Sequence, residues 1–406
     1  MSSRFKKISL IIVFVCIFIL LVDAIYFFSY RRYNNDKVYF DLINAFDFND
    51  SNYVTVGSNN DNSKGLEKAK ISKYNSKKVK IWEKIYNYGY NSSFLSVKID
   101  GEDIVAVGSY ESNKKEHKDS VRSALFVKYD KDGNLVFDKK FQELGDSKFT
   151  NIYIVDDGYF VVGQSIYENM TLGYSENGGA FLIKYNKEGE VVWKKNYGGS
   201  KSGIYYNLVY HNDYIYAVGK NYAKVGILSK YDKCGNLILT KEYQFTDTLG
   251  FTDIAISDDS IIVVGSKNID DDRFSTDSLI VKYDLDCNYI SEVTYHDKDI
   301  NRFNKLIIDS FGNIVAIGTV AKYDDQKSSD TNNVFQYDGV IAKYRSDLKM
   351  IDIEIYGDNN DINDYFTDIK YISDRYLVSG YSSYKEDGYM SKFITYSNAL
   401  KVLEVK

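Results

Sequence analysis

Proline is absent from all 406 residues, and histidine and cysteine occur three times each. Without proline, the chain must turn on Gly, Asn and Asp. It does so at Asp132-Gly133-Asn134, Asp157-Gly158, Gly235-Asn236 and Gly312-Asn313. Three cysteines do not make a disulfide framework. Cys16 lies in an apolar N-terminal run, and Cys234 and Cys287 fall in corresponding turns, where they read as inert residues or free thiols. His117, His211 and His296 have no ligand-spaced partner. Nucleophile elbows, HExxH helices, phosphate loops and zinc-spaced cysteines are all missing, so neither a catalytic residue nor a metal or cofactor site is expected. Basic excess is lacking too. The formal net charge is −6, and residues 1–32 hold five of the 51 basic residues against one of the 57 acidic ones. The remainder is more acidic still, which argues against nucleic acid as a partner.

What is present is repetition. Short apolar runs end in Gly at Gly57, Gly108, Gly163, Gly219, Gly265, Gly318 and Gly380. A second marker keeps step at Lys73-Tyr74, Lys128-Tyr129, Lys184-Tyr185, Lys230-Tyr231, Lys282-Tyr283 and Lys343-Tyr344, with an altered seventh copy read at Lys392-Phe393. Paired markers at a period of roughly 50 residues mean one supersecondary unit used seven times.

One unit shows what it is. Phe149–Val155, a turn, Tyr159–Gly163, a loop, Ala180–Tyr185, a turn, then Val191–Lys195 are four short runs rich in Val, Ile, Tyr and Phe. Such runs bounded by Gly, Asn and Asp are strands. Four with hairpin turns form an antiparallel sheet, and two apolar faces require cover on both sides. Radial stacking meets that need, so the expected fold class is all-β: a seven-bladed β-propeller of four-stranded antiparallel blades at 38–406. Cut at the first strand, the blades run 38–90, 93–145, 148–200, 203–243, 249–297, 302–357 and 364–406. A second cut makes a composite blade from 389–406 and 38–58. Which strand lines the channel stays open.

Ile8–Val22 is apolar apart from Ser9, and Ala24–Phe28 resumes the run beyond Asp23. Its length suffices to span a bilayer, and Arg4, Lys6 and Lys7 precede it. The expectation is a short basic cytoplasmic tail at 1–7, an uncleaved transmembrane anchor helix at 8–30 and a linker at 31–37. The propeller then lies on the extracytoplasmic side of a cell membrane.

Asp130-Lys131-Asp132-Gly133-Asn134 after Lys128-Tyr129, with Val192-Trp193-Lys194-Lys195-Asn196-Tyr197-Gly198-Gly199, resembles bacterial surface β-propeller repeats of the SBBP type. The likeness covers most of 70–390. Trp82 and Trp193 occupy the family's strand tryptophan, with Phe137, Leu239 and Ile290 read as its stand-ins. The resemblance implies an extracytoplasmic propeller and no single activity.

In this reading the short hairpin turns share one face, while the loops after each Gly and the connections between blades share the other. Long loops on a rigid scaffold are where contact residues concentrate. The candidate ligand-binding residues are therefore the loop aromatics Tyr110, Tyr167, Tyr174, Tyr222, Tyr323, Tyr337, Tyr381 and Tyr384, with Phe335 beside them. The segments joining blades add Tyr88, Tyr90, Tyr295 and Tyr356. Flat aromatic faces with polar edges suit a protein or peptide partner, with a glycan as the alternative and an envelope hydrolase third.

Overall fold

The computed structural model describes residues 40–61, 66–112, 122–142, 145–166, 179–197, 203–221, 223, 225–243, 248–269, 275–323, 335–357, 362–384, 388–397, 400 and 402–405. The anchor expected at 8–30 lies outside them. Among the described residues no helix is long and apolar enough to cross a membrane.

All regular structure in the described residues is strand, 28 in all, in seven antiparallel groups of four. Within each group the strands pair in chain order, here termed inner, second, third and outer. The inner strands are Phe40–Phe48, Asn91–Asp100, Asp146–Val155, Ile204–His211, Thr248–Ser257, Ile300–Ile308 and Ile362–Ile372. All seven line a single cavity. Sheets arrayed around an axis in this way make a β-propeller. The strand ending at Val405 pairs with Gly388–Ser397 in its own group, so the composite-blade cut is not the one adopted. A single parallel bridge, Thr276 to Ile300, connects the fifth group to the sixth.

The second and third strands explain why this arrangement is stable. Val105, Val107, Ala124 and Phe126 of the second group are fully buried against Phe149, Ile152 and Tyr159 of the third. Each of the Val, Ile and Phe side chains contributes ~1.5–3 kcal/mol relative to exposure. Analogous clusters fill the other seams.

The repeated Gly has a specific cause. In the inner strands Leu95, Thr150, Tyr206, Thr252, Asn304 and Thr367 are bulged out of register with the second strand. The bulge drives an inner-strand carbonyl into the Gly opposite. A Cβ would stand 1.9 Å from the Ser93 oxygen at Gly108, 1.8 Å from Ile204 at Gly219 and 1.8 Å from Arg302 at Gly318. The bulge also ties neighbours together, because it turns its side chain onto the next group. Thr150 Oγ1 donates to the Tyr205 carbonyl (2.6 Å), Thr252 Oγ1 to Phe303 (2.9 Å), and Asn44 Nδ2 to Phe94 (2.8 Å). From the seventh group, Thr367 Oγ1 donates to Ile43 of the first.

The Lys-Tyr marker is equally structural. Lys73, Lys230 and Lys282 donate to carbonyls in the last hairpin of the following group, at Lys131, Leu285 and Ser346. Lys128, Lys184 and Lys343 instead pair with Asp103, Asp157 and Asp309 near the first turn of their own group. The seventh copy of the marker lies three residues beyond Lys392-Phe393. Lys392 stands opposite Gly380, whereas Thr395 and Tyr396 hold the register of Lys73 and Tyr74.

In the fifth group the tryptophan place is likewise displaced from Ile290, by one residue. The outer-strand partner of Lys282 is Ser291, not Ile290, which is exposed. What occupies this place is matched in size by the next group's turn. Trp82, Phe137 and Trp193 lie over Gly133, Gly189 and Gly235, each less than 3 Å from where a Cβ would be. Leu239 packs on the cluster that contains Cys287, and after Ser291 the corresponding turn residue is a buried Leu348. Cys287 and Leu348 keep the positive φ of the glycines they replace, 61° and 65°.

Each outer strand carries its own bulge just after the last turn, at Ile81, Val136, Val192, Ile238, Ile290, Ile351 and Leu403. Bulged edges pair poorly with other chains, which protects the rim from strand addition.

Candidate functional site

The strand order sends both tight hairpins of each group to one face. The second-to-third loops and the connections between groups therefore emerge on the other. Around the sixth and seventh groups, that second face carries a continuous row of rings. Tyr323 meets Phe335 at 5.5 Å between centroids, Phe335 meets Tyr337 at 6.2 Å, and Tyr337 meets Tyr365 at 5.3 Å. Tyr365 then stacks on Tyr381 at 4.9 Å. All five are half-buried.

Register builds this row. Tyr323 pairs with Phe335 across two strands, and Tyr365 pairs with Tyr381. The Tyr337–Tyr365 contact spans the seam between groups. Two side chains pin the backbone there: the Tyr323 amide donates to Asp299 Oδ2 (2.7 Å) and the Tyr337 amide to Asn363 Oδ1 (3.0 Å). Edge and offset contacts of this kind add about 0.5–1.5 kcal/mol each beyond area, so the row is a rigid surface.

Tyr323, Phe335, Tyr337 and Tyr381 were expected as loop aromatics, and the fold gathers them. Tyr365 was not, because it lies in an inner strand. Its signal was a break in the repeat: the equivalent position is Leu42, Ser93, Lys148, Ile204, Gly250 or Arg302 elsewhere. Tyr110 lies apart, packed edge-on against Tyr86 at 6.1 Å with Lys140 Nζ 4.6 Å over its ring. Tyr384 ends its strand opposite Ile362. Tyr167, Tyr174 and Tyr222 lie outside the described residues. Of the joining segments, Tyr88 is exposed, whereas Tyr295 and Tyr356 pack on Phe303 and Phe366 at 6.4 and 6.0 Å and belong to the seams.

The axial cavity is the second feature, with a volume of about 180 Å³. Its upper level carries Ser96, Asn151, Asn207, Asp253, Lys305 and Asp368, one after each bulge. Its carboxylates are engaged by backbone donors. Asp253 accepts from the Leu306 amide (2.8 Å) and from Asn207 Nδ2, and Asp368 from the Ile369 (2.9 Å) and Phe46 (3.1 Å) amides. Two residues further on come Asp47, Lys98 and Lys370. Asp47 accepts from the Ile99 amide (2.9 Å) and lies 3.7 Å from Lys370 Nζ. The Lys370 ammonium and then burial push the Lys98 pKa down to about 8, against the opposing pull of Asp47 and Asp368. Burial draws Lys370 down as well, but Asp368 and Asp47 outweigh it and its pKa is raised.

The hairpin turns use their oxygens internally. Asp130 accepts from the Asp132 and Asn134 amides and from Asn134 Nδ2, and Asp232 and Asp284 repeat the pattern. Among the described residues no group of three or more His, Cys, Asp or Glu is placed to hold a metal ion. Both described cysteines are free, and burial pushes the Cys287 thiol up to about 12, which makes it a poor nucleophile.

No protein-family model matches the sequence, and no curated protein matches it. Solved structures do resemble the fold. The periplasmic gluconolactonase of Pseudomonas aeruginosa aligns over 91% of this chain and 95% of its own, at 10% identity and a TM-score of 0.50. The acylaminoacyl peptidase of Pyrococcus horikoshii aligns over 90% of this chain and 54% of its own, at 10% identity and a TM-score of 0.51. The β-propeller domain of the trilobed protease of Pyrococcus furiosus aligns over 90% and 95%, at 10% identity and a TM-score of 0.48. At such identities the likeness concerns fold alone.

Proposed function

We propose that this chain is a membrane-anchored, extracytoplasmic, seven-bladed β-propeller, with a single transmembrane helix at 8–30. Its function is to bind a protein or peptide partner through the long-loop face, as an interaction or scaffold module of the cell envelope. The observation that carries the reading is the row Tyr323–Phe335–Tyr337–Tyr365–Tyr381. Aromatic side chains supply large contact area at low entropic cost, which is why they anchor protein interfaces. Tyr365 and Tyr381 cover each other's faces, which favours a protein over a sugar that would stack on a bare ring.

The test is site-specific photo-cross-linking in the full chain, in cell envelopes, with the probe at position 337 or, as a rim control, at position 289. An adduct of discrete mass from 337 alone, diminished by Tyr365→Ala, is the expected result. Equal adducts from both positions, or none from 337 alongside capture on a glycan array, would overturn the protein-partner reading. The anchor is checked separately: the full chain should stay with membranes through alkaline carbonate washing.

A further inference from the structure

The axial cavity has two unlike walls at one level. Lys98 and Lys370 line it from the second and seventh groups, and Asp47 of the first group lies 3.7 Å from Lys370 Nζ. On the opposite side the same level is held by Tyr153, Val209 and Ile307. The charged wall is unbalanced in hydrogen bonding. The carboxylates of Asp47, Asp253 and Asp368 all accept backbone amides. The lysines reach them only at long range: Lys305 is 3.8 Å from Asp253, and Lys370 is 3.7 Å from Asp47. Lys98 makes no ion pair among the described residues, although it lies close enough to Lys370 to share a hydrogen bond. Two ammonium groups side by side repel unless one is neutral or an anion stands between them.

We propose that the axial cavity binds a small organic carboxylate, its anionic group held between Lys98 and Lys370 and its hydrocarbon part against Val209 and Ile307. Among the described residues no ion pair to Lys98 or Lys370 is shorter than 3.7 Å, and charge-assisted bonds to a carboxylate are the strong kind. The volume, about six times a water's share of ~30 Å³, suits a molecule of butyrate size. The proposal also explains the lowered affinity of Lys98 for its proton: the wall is poised for a negative charge that the polypeptide does not provide. Binding must then restore that proton. Lys98 is faced by Lys370, Lys305, Asp47 and Asp368, and an added anion favours its charged form against the two lysines.

The test is calorimetric titration of the full chain with sodium butyrate, with inorganic phosphate in parallel, at pH 7 and pH 9. Saturable butyrate binding is expected, at least tenfold weaker in Lys98→Gln and unchanged in the control Lys84→Gln. At pH 9, heats in buffers of different ionisation enthalpy should reveal net proton uptake by the wild-type protein. That measurement stands even where Lys98→Gln fails to fold. Failure of butyrate to saturate, saturation by phosphate alone, full affinity in a folded Lys98→Gln, or no proton uptake at pH 9 would each overturn the proposal.

Discussion

The hydroxyl of Thr367 donates to the carbonyl of Ile43 at 2.9 Å, across 324 residues of sequence. Thr150 and Thr252 make the same bond to the next group, so the junction between the chain's two ends is built like an internal one. Beside it the Phe46 amide donates to Asp368. Closure therefore rests on side-chain bonds between complete sheets rather than on a strand shared between the ends.

Thr367→Val removes that donor and keeps the shape. The expected loss is ~1 kcal/mol, read from urea unfolding. Thr150→Val should cost about as much. A Thr367→Val loss far below the Thr150→Val loss would mean that the terminal junction contributes little.

Gly219→Ala would place a methyl 1.8 Å from the Ile204 carbonyl. Relief requires the bulge to unwind, so a loss above ~3 kcal/mol or failure to fold is expected. Gly101 is the control: its φ is +66° but nothing lies within 4 Å of a Cβ, and Gly101→Ala should cost only ~1 kcal/mol. Comparable losses at the two sites would refute the carbonyl-clash account.

The match between outer strand and turn can be tested by exchange. Leu239→Trp alone meets the Cys287 side chain and should destabilise by ~1–3 kcal/mol. Adding Cys287→Gly recreates the Trp193–Gly235 arrangement and should recover most of the loss. A double-mutant cycle with no coupling would show that the two sites are independent.

Lys98 gives a pH signature. Its folded pKa lies below its ordinary 10.5, so the unfolded chain binds the extra proton between about pH 8 and 10.5. Over that window its contribution raises stability with pH, and below about 8 its penalty is fully present. Lys98→Met should therefore be more stable than wild type at pH 7, by ~1–2 kcal/mol. The gap should close by pH 10.5. Melting curves across that range would expose a constant or reversed difference.

Legibility followed locality. The Gly and Lys-Tyr markers could be read because each copy faces the same bulge or turn. Reading went wrong where a copy departs from type. Lys392-Phe393 mimics the marker in composition, while register assigns the place to Thr395-Tyr396. Ile290 has the bulk of a core residue but sits on an outer-strand bulge, and Ser291 faces inward with Leu348 supplying the missing volume from the next turn. Tyr365 escaped notice because an aromatic in a strand reads as core. Only its neighbours across the seam make it part of a surface.

What the sequence determined by itself is the unit: four strands, two tight turns, one long loop and seven copies. Those properties rest on alternation, turn chemistry and contacts within some 50 residues, and local patterns encode them. What only the tertiary structure decided is which copies meet and what they make there. Thr367 reaches Ile43, Tyr337 reaches Tyr365, and Asp47 comes within 3.7 Å of Lys370 Nζ, because the sheets pack around one cavity. These residues lie in different copies of the unit, and no local pattern marks them as neighbours.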